Sequence, residues 1–179
     1  MIYLIRHGEA AASWGSHPDP GLSESGQAQA EAVAMTLSSA SIERIYSSPM
    51  QRCQETGQAF ARASGIDLAI EPRVTEIPTP PDVEDRVSWL RNLMSGSWSA
   101  APDLVQAWRN ELIATVSALP ANTAVFTHFV AINAIVGHLE ETDLVTVFRP
   151  NYCSLTILEQ REGQLRLQAR GESLETKVL

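Results

Sequence analysis

Short apolar runs that end abruptly in polar or cationic residues constrain the fold of this chain most strongly. The chain opens with the apolar residues 1–5 and continues directly into Arg6, His7, Gly8 and Glu9. A run rich in isoleucine and leucine is typical of a buried strand. A cation and an imidazole at the end of such a strand are costly unless they bind something. Because ligands bind at the carboxyl ends of strands in open α/β sheets, the pattern predicts a binding site there.

The same arrangement occurs twice more along the chain. The stretch 42–46, which is typical of a strand, leads into the segment 47–52, which ends in Arg52, and the buried strand expected at 124–127 leads into His128. Arginine suits a planar anion with several oxygens, and histidine can act as nucleophile, base or acid near neutral pH. Each of these junctions also starts a helix-like stretch, whose free N–H groups attract anions. The sequence therefore predicts an oxyanion site that contains histidine.

The order of the elements predicts the fold class. We expect strands at 2–6, 42–46, 66–70 and 124–127 and a hairpin at 153–158 and 165–170. We expect one helix from after Ser23 to about 37, a second from about 49 to 60, a third from about 102 to 119 and a last one from after His128 to 136. The first helix carries Ala28, Ala32, Met35 and Leu37 as its apolar positions. Strands that alternate with helices predict a largely parallel sheet with helices on both faces, and the hairpin adds an antiparallel edge.

Composition narrows the class of protein further. A chain of 179 residues is expected to form one domain that buries roughly 70% of its unfolded surface. The net charge of −8 argues against a nucleic-acid partner, which requires a basic surface. Cys53 and Cys153 give no disulfide framework, and no run of about 18 apolar residues suggests a membrane span or a membrane partner. We therefore expect a cytoplasmic protein.

Together, the motif at residues 6–8, the turn at 47–52, Glu76 and His128 resemble the histidine phosphatase superfamily, the phosphoglycerate-mutase-like group. The order and spacing match over nearly the whole chain, including the segment 19–26. The resemblance implies a three-layer α/β/α sandwich with a mostly parallel central sheet and an antiparallel edge. It also implies phosphoryl transfer through a phosphohistidine, without a metal or a cofactor, and it points to the small phosphatase branch.

The resemblance also implies a role for each matching residue. His7 would be the nucleophile that attacks phosphorus, and Glu76 would protonate the leaving oxygen and then activate water. Arg6, Arg52 and His128 would bind the other phosphate oxygens and stabilise the charge there.

Other residues near the motifs are candidates for supporting or competing roles. Gly8, Glu9 and Ser13 are candidate supporting residues, and Asp82 and Glu84 compete with Glu76 for the part of general acid. Unlike many members of the family, which have glycine after the second histidine, this chain has Phe129, which is expected to alter the pocket wall.

The leading interpretation is a metal-independent phosphomonoesterase with a single domain over 1–179 and a lid-like insertion at about 72–102. Its substrate would be a small-molecule phosphate ester or a phosphoprotein. Two alternatives stay open at this point: a cofactor-dependent phosphoglycerate mutase, and a phosphate-binding regulatory protein with little turnover. The physiological substrate and the oligomeric state are left undetermined by the sequence.

Overall fold

A mixed sheet brings three of the predicted strand ends side by side. The structure, a computed structural model, describes residues 1–12, 18–161 and 163–173; the predicted supporting residue Ser13 lies outside them. Among the described residues the sheet has six strands: β1 Ile2–Arg6, β2 Arg44–Ser47, β3 Leu68–Ile70, β4 Thr123–Thr127, β5 Leu155–Arg161 and β6 Gln164–Ala169. The helices are α1 Glu24–Leu37, α2 Gln51–Ser64, α3 Arg86–Met94, α4 Asp103–Ala118 and α5 Phe129–Leu139. The predicted elements are therefore present, with boundaries shifted by a few residues.

The strand order is β3-β2-β4-β1-β5-β6. The first four of these strands are parallel, whereas β5 runs antiparallel to β1 and β6 antiparallel to β5. The predicted parallel sheet with an antiparallel edge is thereby confirmed. Because β2, β4 and β1 are parallel neighbours, their carboxyl ends meet at one edge, where Arg6 pairs with Thr127 and Ser47 with Phe126. The three polar segments that follow β1, β2 and β4 in the sequence therefore begin side by side at this edge.

Two hydrophobic clusters cover the two faces of the sheet. Side chains alternate between faces along a strand, so Ile2 and Leu4 of β1 join one cluster and Ile5 joins the other. The first cluster includes buried residues of α3, α4 and α5, and the second includes those of α1 and α2. These are the three layers that the family resemblance implies. No helix within the described ranges is long and apolar enough to cross a membrane.

The buried face of α1 differs from the predicted one. Ala28, Ala32 and Met35 are exposed, Met35 to 73%. The predicted Leu37 is buried, but with it the helix buries a neighbouring stripe: Gly26, Ala30, Val33 and Ala34. Gly26 decides between these stripes, because a Cβ built there would lie 2.0 Å from the carbonyl oxygen of Glu9. Only a glycine lets the first loop pack backbone to backbone on the helix, and its position fixes which side faces the protein.

The segment between β3 and α4, predicted as a lid-like insertion, is attached to the core at several points. It contains a 3₁₀ turn at Pro72–Val74, helix α3 and a second 3₁₀ turn at Trp98–Ala100. Val74, Ile77, Leu90 and Trp98 of this segment are buried in the cluster on the α5 side of the sheet. The backbone carbonyl of Val74 also accepts a 2.7 Å hydrogen bond from Thr127 Oγ1 on β4. Its first part is thus fixed to the strand that carries the second histidine of the site.

Candidate active site

His7 follows β1 and presents one ring nitrogen to the site. Its Nδ1 lies 2.7 Å from the carbonyl oxygen of Gly8, which can only accept a hydrogen bond. Nδ1 therefore carries the proton of the neutral ring, and Nε2 keeps its lone pair. Arg52 Nε donates to this Nε2 across 3.3 Å. Burial, followed by the nearby His128 and Arg52, lowers the pKa of His7 well below its usual value, so the ring is neutral and Nε2 is nucleophilic.

Gly8 and Glu9, which follow His7, contact residues of α1 and α2 and the cap of α1. The backbone N–H of Gly8 donates to Thr56 Oγ1 across 3.0 Å, and a Cβ at Gly8 would lie 2.7 Å from the carbonyl oxygen of Gly26. The Glu9 carboxylate accepts a 2.6 Å hydrogen bond from Ser23 Oγ, which in turn caps α1. Of the predicted supporting residues, Gly8 and Glu9 thus position the first loop against the helices.

Arg52, in the first turn of α2, lies at the centre of the site. The residue is 6% exposed, and its guanidinium contacts side chains from several other segments. Besides His7, its NH2 lies 3.3 Å from Glu76 Oε2 and 3.2 Å from His128 Nδ1. Its NH1 lies 3.8 Å from the Asp19 carboxylate in the loop before α1. A guanidinium fork can reach this many partners because it offers five donors in one plane.

Arg6, the last residue of β1, is held between two aromatic rings. Its Cζ lies 4.1 Å from the ring centre of Tyr152 and 5.3 Å from that of Phe129, and its NH1 donates to the carbonyl oxygen of Pro150 across 2.8 Å. Burial lowers the pKa of Arg6, although an arginine stays protonated in a protein. Cation–π contacts of this kind fix the orientation of the guanidinium. Phe129, the departure from the family pattern, therefore lies beside the arginine.

His128 follows β4 and is fully buried. Its ring centre lies 5.3 Å from that of His7, and the planes of the two imidazoles are inclined at 62°, in an edge-to-face arrangement. Its Nε2 lies 2.8 Å from Ser48 Oγ, in the turn that follows β2. Burial, with Arg52 and Arg6 acting in the same direction, lowers the pKa of His128 well below its usual value. The site therefore contains two neutral imidazoles and two guanidinium groups.

Glu76 supplies the carboxylate of the site. Its side chain is 10% exposed, and Oε2 lies 3.3 Å from Arg52 NH2 and 3.4 Å from His128 Nδ1. Its rivals from the sequence, Asp82 and Glu84, are both exposed. The structure thus places Glu76 beside Arg52 and His128, two of the predicted phosphate-binding residues.

Two residues that the sequence analysis did not single out also line the site. Tyr152 covers Arg6, and its ring centre lies 6.1 Å from that of His7. Cys53 lies behind His128, with Sγ 3.4 Å from Nε2. Burial raises the pKa of the Cys53 thiol, which therefore stays protonated. Both residues adjoin sequence motifs, Tyr152 just before β5 and Cys53 just after Arg52, but neither spacing nor residue type marks them.

The lowered pKa values of His7 and His128 predict that the protein loses stability as the pH falls below about 6.5. The unfolded chain takes up protons on both histidines near that ordinary pKa, whereas the folded protein does so only at lower pH. Between the ordinary pKa and the lowered pKa of the folded protein, each histidine should lower the free energy of unfolding by about 1.4 kcal/mol for every unit by which the pH falls. Urea unfolding between about pH 5 and pH 7 measures the slope. The double variant His7→Gln, His128→Gln should show a shallower slope, and an equal slope would contradict the assignment.

Comparison with known proteins finds a matching family model and curated relatives. A family model described as "Histidine phosphatase superfamily (branch 1)" matches residues 2–173. The chain is 36% identical over 81 residues to "Probable phosphoglycerate mutase GpmB" of Photorhabdus laumondii, an alignment that covers 43% of this chain and 38% of that protein. The chain spans about half the length, or less, of the curated relatives it matches.

Solved structures share the fold over nearly the whole chain. A phosphoserine phosphatase from Entamoeba histolytica, in complex with 3-phosphoglyceric acid, superposes with a TM-score of 0.77 at 22% identity and covers 97% of both chains. A mycobacterial glucosyl-3-phosphoglycerate phosphatase in complex with VO3 gives a TM-score of 0.74 at 21% identity, over 96% of this chain and 99% of that one. At these identities the likeness shows the fold.

Proposed function

The chain belongs to the histidine phosphatase superfamily, and on this premise we propose that it is a metal-independent phosphomonoesterase that works through a phosphohistidine on His7. One observation carries the proposal. The neutral His7 presents its unprotonated Nε2 to a site in which Arg52 lies 3.3 Å away and contacts the Glu76 carboxylate in turn. In this proposal His7 is the nucleophile, Arg52 a permanent cation and Glu76 a proton carrier at one site, the groups that nucleophilic phosphoryl transfer requires.

Two guanidinium groups match the charge of a phosphate monoester. Arg6 and Arg52 together supply about two positive charges, and a unit pair at ~4 Å is worth about 4 kcal/mol at an effective dielectric near 20. The aromatic rings around Arg6 and the contacts of Arg52 hold these charges in place before the substrate arrives, so little reorganisation is needed. His128 adds a neutral hydrogen-bonding group to the same pocket.

The first chemical step transfers the phosphoryl group to the protein. His7 Nε2 attacks phosphorus in line, the new P–N bond forms, and the P–O bond to the leaving group breaks. For this step Glu76 must be in its protonated form, and it donates that proton to the leaving oxygen. The hydrogen bond from His7 Nδ1–H to the Gly8 carbonyl oxygen becomes stronger as positive charge grows on the ring.

The second step returns the protein to its starting state. The Glu76 carboxylate takes a proton from water, and the resulting hydroxide attacks phosphorus. The P–N bond breaks, its electron pair returns to Nε2, and inorganic phosphate leaves. One carboxyl group thus serves as acid in the first step and as base in the second.

A phosphoglycerate mutase is the second candidate, favoured by the name of the curated relatives. Such an enzyme returns the phosphoryl group from His7 to a second oxygen of the bound product rather than to water. Incubation with 3-phosphoglycerate and a bisphosphate primer separates the two, since formation of 2-phosphoglycerate without release of phosphate identifies the mutase.

The proposal is tested by incubating the protein with a generic aryl phosphate in the presence of EDTA. Release of phosphate together with a phosphorylated protein would support it. Complete inactivity towards the aryl phosphate and a panel of phosphorylated metabolites would favour a phosphate-binding regulatory protein instead. The same panel identifies the class of substrate.

Replacing Glu76 with glutamine should lower kcat by about 10²- to 10³-fold while leaving the phosphorylated protein detectable. The amide cannot deprotonate water, so hydrolysis of the phosphohistidine slows more than its formation from a good leaving group. Rapid quench with a labelled aryl phosphate measures both steps. The exposed Glu84 offers a matched control, because Glu84→Gln should not change either step. An unchanged rate in Glu76→Gln would shift the acid assignment to Asp82 or Glu84.

A further inference from the structure

Ser48 lies where its hydroxyl can decide which nitrogen of His128 carries the proton. The residue is fully buried in the turn after β2, and its Oγ lies 2.8 Å from His128 Nε2. The same oxygen accepts a hydrogen bond from the backbone N–H of Met50 across 3.2 Å. The hydroxyl proton of Ser48 is therefore available to be donated to Nε2, which then acts as an acceptor.

The other neighbour of Nε2 does not compete for this role. Cys53 Sγ lies 3.4 Å from Nε2 but also 3.5 Å from the carbonyl oxygen of Thr127. A thiol has one weak proton to donate, and the carbonyl is the stronger acceptor for it. Cys53 thus packs against the imidazole edge, while Ser48 makes the shorter contact.

The opposite nitrogen of the ring faces an acceptor. His128 Nδ1, Arg52 NH2 and Glu76 Oε2 form a nearly equilateral triangle, with sides of 3.2, 3.3 and 3.4 Å. If Nδ1 is protonated, the imidazole and the guanidinium both donate to the same carboxylate oxygen, and their mutual contact results from this convergence. If Nδ1 is unprotonated, Arg52 NH2 can donate to its lone pair across 3.2 Å, but the same lone pair faces the carboxylate oxygen at 3.4 Å. The first arrangement turns this contact between two acceptors into a hydrogen bond.

We propose that Ser48 is a positioning residue that holds neutral His128 with its proton on Nδ1, so that the ring donates a hydrogen bond into the anion site. The assignment of the proton stands on the contacts alone, whereas its effect on turnover rests on the proposed function. An imidazole held this way acts on a phosphate oxygen as a neutral donor between the two arginines. In the other tautomer a lone pair would face that oxygen, and repulsion would weaken the binding of the anion.

The proposal is tested first by NMR on protein labelled with ¹⁵N in its histidines. The wild type should show a protonated Nδ1 and an unprotonated Nε2 for His128. In Ser48→Ala the signal should move towards the Nε2–H form, because Nε2 loses its donor and can donate to Cys53 Sγ. Ser47→Ala is the matched control: it also removes a buried hydroxyl, but one that donates to the backbone carbonyl of Ser48 rather than to His128. In Ser47→Ala, His128 should keep the tautomer that it has in the wild type. A wild-type His128 with the proton on Nε2 overturns the proposal.

The functional consequence is read by titration with inorganic phosphate and by kcat/KM for an aryl phosphate. Ser48→Ala should weaken both by about tenfold to a hundredfold, the usual effect of losing one hydrogen bond to a charged group. Ser48→Thr keeps a hydroxyl and should restore the tautomer and much of the affinity. Equal losses in Ser47→Ala and Ser48→Ala would overturn the positioning role. Because the tautomer and the phosphate affinity are measured without turnover, absence of phosphatase activity would reject the proposed function and leave the proton assignment testable.

Discussion

Replacing His7 with alanine is expected to abolish phosphorylation of the protein and to lower kcat/KM by at least about 10⁴-fold. The variant lacks the nitrogen that forms the P–N bond, and the remaining groups of the site can only bind the substrate and polarise it. Labelling with an aryl phosphate that carries radioactive phosphorus, followed by separation of the denatured protein, measures the phosphorylated form directly. Steady-state phosphate release measures the loss of turnover.

His138 provides the control for this experiment. It is exposed in the last turn of α5, the same helix that His128 precedes, so His138→Ala changes one histidine without touching the site. Its labelling and turnover should equal those of the wild type. Labelling that persists in His7→Ala would move the nucleophile to another residue.

Replacing Arg52 with alanine is expected to lower kcat/KM by about 10³-fold, the second largest effect. Arg52 contacts His7, Glu76 and His128 together, so under the proposed function the variant loses a charge that binds phosphate and, at once, a partner of Glu76. Loss of a single preorganised donor typically costs 10²- to 10³-fold in rate. Arg52→Lys should recover part of the loss, since it keeps the charge without the planar fork. Steady-state kinetics with the aryl phosphate measure all of these effects.

Arg62 is the matched control on the same helix. Its side chain is 61% exposed and pairs with Glu31 across the surface, where an ion pair contributes little. Arg62→Ala should leave kcat/KM unchanged and the fold intact. If Arg52→Ala lost no more activity than Arg62→Ala, the central position of Arg52 would have no catalytic meaning.

The sheet could be predicted from the sequence because its signals are local. Residues 2–6 and 124–127 are apolar runs that end in polar groups, and the parallel arrangement follows from the helices between the strands. The buried face of α1 could not be predicted in this way. Its alanines lie on two stripes with the same helical spacing, and the choice depends on Gly26 meeting the backbone of Glu9, a contact between separate segments.

The candidate site shows the same division. Its five principal side chains carry chemical types unusual at strand ends or adjacent loops, so they could be named in advance. The stacking of Tyr152 on Arg6 could not, because it depends on residues far along the chain returning as an antiparallel partner of β1. The positioning role proposed for Ser48 could not be predicted either. It depends on which groups around His128 donate and which accept hydrogen bonds, and the sequence does not give those contacts.

The bond between Thr127 Oγ1 and the Val74 carbonyl has a consequence for how such a chain can diversify. It attaches the backbone two residues before Glu76 to the strand that ends at His128. The backbone next to Glu76 is thereby held against β4 by a hydrogen bond that lies outside the stretch from 78 to 102, whose own anchors in the core are Leu90 and Trp98. Insertions, deletions or exchanges between these anchors can change the segment while the Glu76 carboxylate keeps its place. The segment can therefore vary during evolution without a change in the position of the candidate site residues.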